Sequence, residues 1–239
     1  MIRCLSSEFP LPVYRQHGGR FLGFLIFLLV VVLAFLFIGV AGDLFAKIGF
    51  SSFQFSLILI ATLIGSFVNI PIYKVKRVER VIKFEEVRVF WISYRVPHFG
   101  IRRVTTTVAL NVGGALVPIL VSAYILIEHS QILLSSIIGV ILTSFVVHMV
   151  ARKVEGVGIV TPAFIPPLAA ALIALLLSGT HPAMVAYVSG TLGALIGADL
   201  TNLRGIGRLG ARVASIGGGG TFDGVFLTGL IAVLLVSFV

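Results

Sequence analysis

Apolar residues in this chain gather into seven long runs, and the polar residues fall in the shorter intervals between them. The runs cover residues 21–41, 55–73, 107–127, 132–147, 159–178, 182–198 and 222–239; none contains Lys or Arg, and one Asp is their only acidic residue. About 20 apolar residues in a helix span the hydrocarbon core of a bilayer. Backbone in lipid must satisfy its own hydrogen bonds, and these runs are too long and too uniformly apolar for barrel strands. The pattern therefore predicts an all-α, polytopic transmembrane helix bundle of about seven spans.

One interval is long. Residues 74–106 form a basic loop, and within it the stretch 83–96, KFEEVRVFWISYRV, is rich in β-branched and aromatic residues that alternate in part. A short strand or hairpin is expected there, and its basic and aromatic content also suits the headgroup region. Pro162, Pro166 and Pro167 interrupt the start of the fifth run and predict a broken helix, because proline removes a donor and kinks. The alternative is that Pro162 begins the helix and the later pair bends it. The stretch 215–220, SIGGGG, reads as a hinge before the last helix. No internal repeat of fixed period is seen.

Composition strengthens the membrane reading. Of 239 residues, 58% are hydrophobic and 11% charged, far more apolar than a single soluble core of this size accommodates. Charge sets the expected orientation. With seven spans, 17 of the 18 Lys and Arg fall on one side, and Lys47 alone on the other. Basic residues favour the cytoplasm, so the N-terminus is predicted inside, the C-terminus outside, and the chain multi-pass in the cell membrane. Residues 1–20 would be a cytoplasmic tail, with the first run as an uncleaved signal anchor, and 21–239 a single transmembrane domain. The net charge of +9 then reflects topology and attraction to anionic headgroups. It does not mark a nucleic-acid face, because the basic residues border spans. Cys4, the single cysteine, excludes an intramolecular disulfide. No metal or cofactor is implied.

Seven spans also give each intramembrane polar residue a depth. Asn69, Asn111, His148, Thr161, Pro162, Asp199, Asn202 and Asp223 fall near the cytoplasmic ends of their spans, and Gly220, Thr221 and Gly224 flank Asp223. Converging polar groups in an apolar surround describe a binding or active site. An acidic residue at membrane depth is costly and is usually retained for function. Asp223 stands at a predicted helix N-terminus, where the macrodipole favours a carboxylate; Asp199 stands at a C-terminus, where it does not. Facing one another, the two would split into a charged base and a protonated acid, the pair needed to activate water on a peptide bond. Asp223 could equally be a first-turn helix stabiliser, and Asp199 could pair with Arg204 or Arg208. On a helical wheel Gly190, Gly193 and Gly197 share one face and Asp199 lies opposite. The sixth helix must therefore be packed on both faces, or unwind at Gly197, for Asp199 to point inward.

Several blocks, Asn69-Ile70-Pro71, ALNVGGA at 109–115, Gly197-Ala198-Asp199-Leu200 and SIGGGGTFDGVFLTG at 215–229, resemble a family of prokaryotic polytopic membrane proteins, the domain of unknown function numbered sixteen-fourteen. That resemblance implies the membrane fold and no activity. A second likeness is local. GTFDGVF at 220–226 resembles the glycine–x–glycine–aspartate signature of presenilin-like intramembrane aspartyl proteases, whose second catalytic aspartate lies on the preceding helix. It implies Asp199 and Asp223 as the catalytic pair. The leading reading is then an intramembrane hydrolase that cleaves a helical membrane substrate, with Asn69, Asn111, Thr161, Pro162, Asn202, Gly220, Thr221 and Gly224 lining the site. The chain departs from that pattern: Phe222 replaces the second glycine, Ala198 precedes Asp199 in place of tyrosine, and no proline–alanine–leucine element follows. Two further functions suit the same residues: an ion- or proton-coupled transporter with the aspartates as ligands, or a non-catalytic scaffold with both neutralised by arginine.

Overall fold

The computed structural model describes residues 18–89, 91–154, 158–203, 213–218 and 224–239. The chain divides into two compact units, residues 1–41 and 42–239. In the first, the described residues belong to helix α1 (Gly18–Lys47), which runs on into the second unit. From residue 26 to 40 its side chains are exposed in an almost unbroken apolar row, with Phe35 and Phe27 among the most open.

Six further helical stretches lie in the second unit among the described residues. They are α2 (Ser52–Gly65), α3 (Val117–Glu128) entered through a π-turn at Val112–Leu116, α4 (Leu133–Val150) entered through the 3-10 turn Ser130–Ile132, α5 (Ile165–Leu177), α6 (Pro182–Ala194) and α7 (Gly224–Val236). After α6 the chain continues through a π-turn, Leu195–Asp199, and a 3-10 turn, Leu200–Asn202. Ser51 starts α2 with a reciprocal cap: its Oγ accepts from Gln54 N at 3.3 Å while its own N–H donates to Gln54 Oε1 at 2.8 Å.

Helix α6 is the central post. Residues Met184 to Thr191 are all buried, and α3, α4, α5 and α7 pack around it. Small residues permit the close approach. A Cβ on Gly193 would lie 2.6 Å from Thr143 Cβ of α4, and one on Gly190 would lie 3.3 Å from Gly229 Cα of α7. The glycine stripe is therefore shared between two neighbours, and α6 is packed on both faces. Helix α5 is arranged inside-out relative to a water-soluble protein. Ala170, Ala171 and Ala174 face in, while Leu168, Leu172 and Leu176, one turn apart, face out. Leu134, Ile141 and Phe145 do the same on α4. Such broad apolar faces require a covering of lipid or protein.

Three helical segments, Ile26–Lys47, Ser130–Val150 and Pro182–Asn202, are long and apolar enough to cross a membrane. The other four apolar helices have 13 to 17 residues.

The all-α expectation is corrected by two sheets. Strands β1 (Asn69–Val89) and β2 (Ile92–Asn111) form an antiparallel ribbon of some 20 residue pairs, in register from Asn69↔Asn111 to Val89↔Ile92. A short strand β5 (Val213–Ile216) adds in parallel to its base, pairing Thr107↔Val213 through Leu110↔Ile216. β3 (Arg152–Val154) and β4 (Gly158–Val160) make a separate small pair.

The ribbon extends well beyond the expected hairpin. It takes in residues 74–89 and 92–106 of the basic loop and also 69–73 and 107–111, which the apolar pattern had assigned to helices. Two local causes are visible. Pro71 cannot donate within a helix and sits at the ladder's register shift, between Pro71 and Tyr73. From there Val, Ile and Thr dominate, residues whose branching favours a pleated backbone.

The predicted break in the fifth helix is corrected as well. α5 begins at Ile165, so Pro166 and Pro167 occupy its first turn, where no intrahelical N–H is needed. Residue 159, taken as the start of that span, belongs to β4.

Candidate functional site

The ribbon meets the helices at one buried polar junction. Asn111, the last residue of β2, is completely buried yet saturated. Its Nδ2 donates to Ser66 O at 2.7 Å and to Asn69 Oδ1 at 3.2 Å, and its Oδ1 accepts from Gly114 N at 2.7 Å, capping the π-turn. Asn69 Oδ1 also accepts from Ser215 Oγ of β5 at 2.5 Å. Two residues on, Gly217 N–H donates to Asp199 Oδ2 at 2.6 Å. A continuous set of bonds thus joins the end of α2, both strands of the ribbon, β5 and the π-turn after α6.

Glycine is required at two points of this junction. Gly217 holds φ at +81°, and a Cβ there would sit 2.6 Å from Ala115 Cβ. Gly113 lies against the backbone of Thr62, Gly65 and Ser66, where an added Cβ would overlap Thr62 O. Beneath the polar bonds an apolar floor brings together Val108, Ala115, Ala194, Leu195, Ile216 and Val225. Val225 ties the start of α7 to the end of α6. With Gly190 against Gly229 and, further on, Ala194 and Leu195 with Val225, the two helices run antiparallel, so the C-terminal end of α6 meets the N-terminal end of α7.

Asp199 is half-buried in the π-turn, where the change of winding takes it off the regular α6 wheel. Asn202 turns back along its own helix, donating to Ala198 O at 2.8 Å and Gly197 O at 3.3 Å. His148 Nδ1 lies 2.8 Å from Thr201 Oγ1, tying α4 to the same end of α6. Thr161 is half-buried and Pro162 exposed, on the connection after β4, which packs against the π-turn. Gly224 is exposed at the head of α7, with open space around its Cα. Asp223, Thr221 and Gly220 lie outside the described residues, as do Arg204, Arg208 and Arg212.

The structure therefore joins Asn69 and Asn111 directly and links Asp199 to them through Ser215 and Gly217; Asn202 bonds back to its own helix, and no bond ties Thr161 or Gly224 to the set among the described residues. Ser66, Ser215 and Gly217 complete the junction and were missed as site residues. The signal for Ser215 was the β-prone VASI stretch before the glycines, and nothing local marked Ser66. Among the described residues no three His, Cys, Asp or Glu side chains converge to hold a metal ion.

The sequence blocks that meet at this junction also identify the chain. A family model described as "Protein of unknown function (DUF1614)" matches residues 63–235. The chain belongs to this family. The match begins at the end of α2 and runs through the ribbon to the last turn of α7, so the DUF1614 region contains the whole junction. No curated protein and no solved structure matches the chain.

Proposed function

We propose that this DUF1614 protein is a multi-pass membrane hydrolase of the aspartyl type, with Asp199 and Asp223 as its two carboxylates near the cytoplasmic face. The observation that supports it most is the antiparallel seat of α7 on α6. Gly229 faces Gly190 and Val225 packs with Ala194 and Leu195, which brings the end of α6 that carries Asp199 beside Gly224, the residue after Asp223 in the sequence. The bond from Gly217 N–H to Asp199 Oδ2 ties the strand leading to that segment to the same carboxylate. In this reading one carboxylate takes a proton from water as it attacks a peptide carbonyl, and the other gives a proton to the leaving nitrogen. The substrate is a helical membrane segment, and Asn69, Asn111, Thr161, Pro162, Asn202, Gly220, Thr221 and Gly224 frame the site. Asn111 spends its amide on Ser66 O, Gly114 N–H and the Asn69 side chain, and Asn202 on backbone carbonyls, so both act by positioning.

Seven crossings complete the proposal, with the N-terminus in the cytoplasm and the C-terminus outside. A 13-residue helix is only about 20 Å long, so α5 needs its flanking non-helical backbone to finish its crossing. Such backbone is tolerated at membrane depth where protein encloses it.

The test uses a peptide mimic whose scissile amide is replaced by a hydroxyethylene group and which carries a photoreactive label. A mimic of the tetrahedral transition state binds the intact carboxylate pair far better than the ground-state peptide does. Wild-type protein and the exposed-site control Asp43→Asn should be labelled, and excess unlabelled mimic should compete. Asp199→Asn and Asp223→Asn should each lose labelling while retaining a cooperative thermal transition. Labelling that survives both substitutions would return the aspartates to a transport or scaffold role.

A further inference from the structure

The far half of the ribbon leaves a set of large apolar side chains in the open. In the β1–β2 register Ile82 stands opposite Phe99 and Phe84 opposite Pro97. Residues two apart on a strand share a face, as do direct partners, so these four form one apolar patch. Ile82 is 60% exposed, Phe84 67% and Phe99 83%. Trp91, at the turn, is exposed over its entire surface and holds φ at +70°. That left-handed conformation favours glycine, asparagine or aspartate, so a bulky ring there stands against local preference. The sequence 74–103 supplies nine Lys and Arg against three Glu. Its two strands leave the helices at the neighbouring ends of α2 and the Val112–Leu116 turn, where the apolar helices stop.

We propose that this ribbon docks on the anionic surface of the bilayer that holds the helices, with Trp91, Phe84 and Phe99 set among the headgroups. Charge decides the occupant. A ribbon this basic is drawn to anionic lipid, with each Lys or Arg near the surface contributing. Against a second copy of itself the same charges would repel. Aromatic rings bordered by basic residues match the amphipathic depth of the headgroup layer. The docked ribbon would then fix, through Asn111 and β5, the attitude of the junction that carries Asp199.

Trp91 is the only tryptophan in the chain, so its fluorescence reports the tip without any label. The full-length protein would be placed, one copy per disc, in lipid nanodiscs of phosphatidylcholine alone or with phosphatidylserine. In the anionic discs Trp91 emission should move to shorter wavelength and quenching by neutral acrylamide should fall several-fold. Salt at about 1 M should reverse both, because the screening length shrinks to about 3 Å. Lys76→Gln should lower the docked-to-free ratio about five-fold, and the double change Phe84→Ser with Phe99→Ser should leave Trp91 fully quenched. Equal quenching in both lipids, whether high or low, would overturn the proposal. So would protection found only in discs loaded with two copies, which would assign the patch to a ribbon–ribbon contact.

Discussion

Asn111 shows how much one buried amide can organise. Fully buried polar groups are tolerated only when bonded, and this side chain bonds to α2, to β1 and to the π-turn that begins the next helix. Asn111→Ala would strand Ser66 O and Gly114 N–H in an apolar setting. A loss of about 2–3 kcal/mol is expected, read as a lower thermal midpoint in detergent; an unchanged midpoint would mean the junction does not hold the fold together. Gly217 is constrained twice, by its positive φ and by Ala115. Gly217→Ala should cost at least about 1–2 kcal/mol and break the Asp199 bond. It should therefore lower both the thermal midpoint and labelling by the transition-state mimic. Loss of labelling with the midpoint intact would instead assign Gly217 to the site alone. Asn111 stood out in the sequence as a polar residue inside an apolar run. Its partners did not, since Ser66 lies 45 residues away and offers a backbone oxygen, which no side-chain pattern records.

At the scale of elements, strand and helix competed for the same apolar residues. The stretch 69–73 continues an apolar run without interruption, and by hydropathy alone it extends the second helix. Pro71 and the branched residues after it decide for strand, and β2 supplies the partner that makes a strand stable. The 83–96 segment did announce its β character through alternation. Its extension to some 20 pairs depended on complementary residues far along the chain, whose pairing no local window contains. Proline was legible as a boundary and illegible as to which side of it the helix lay. With Pro166 and Pro167 in the first turn of α5, replacing both by Ala should lower stability by only about 0.5–1 kcal/mol per residue through greater freedom of the unfolded chain. A gain in stability, as expected where prolines interrupt a helix interior, would contradict the observed start at Ile165. Circular dichroism and a thermal melt of the double variant distinguish the two.

At the scale of the whole chain, the described residues of the larger unit, 42–239, pack around a post, α6, with helices whose large side chains face outward and a β-ribbon joined at one end. That arrangement makes a prediction about sides. In a Cys4→Ser background, Trp91→Cys should react with a membrane-impermeant maleimide only when the cytoplasmic face is open, and Gly179→Cys only from the opposite face. Labelling of both from the same side would break the seven-crossing topology. The sequence by itself determined the apolar content and the approximate places of the seven helices seen among the described residues. Both are local, because the cost of placing a charge or an unbonded amide in hydrocarbon is felt residue by residue. Only the tertiary structure decided that residues 69–111 form a ribbon, that α6 changes winding to turn Asp199 toward Gly217, and that Asn69, Asn111 and Ser215 meet. Those outcomes rest on hydrogen bonds and close glycine contacts between segments up to 146 residues apart, and such pairings have no energy until the chain has folded.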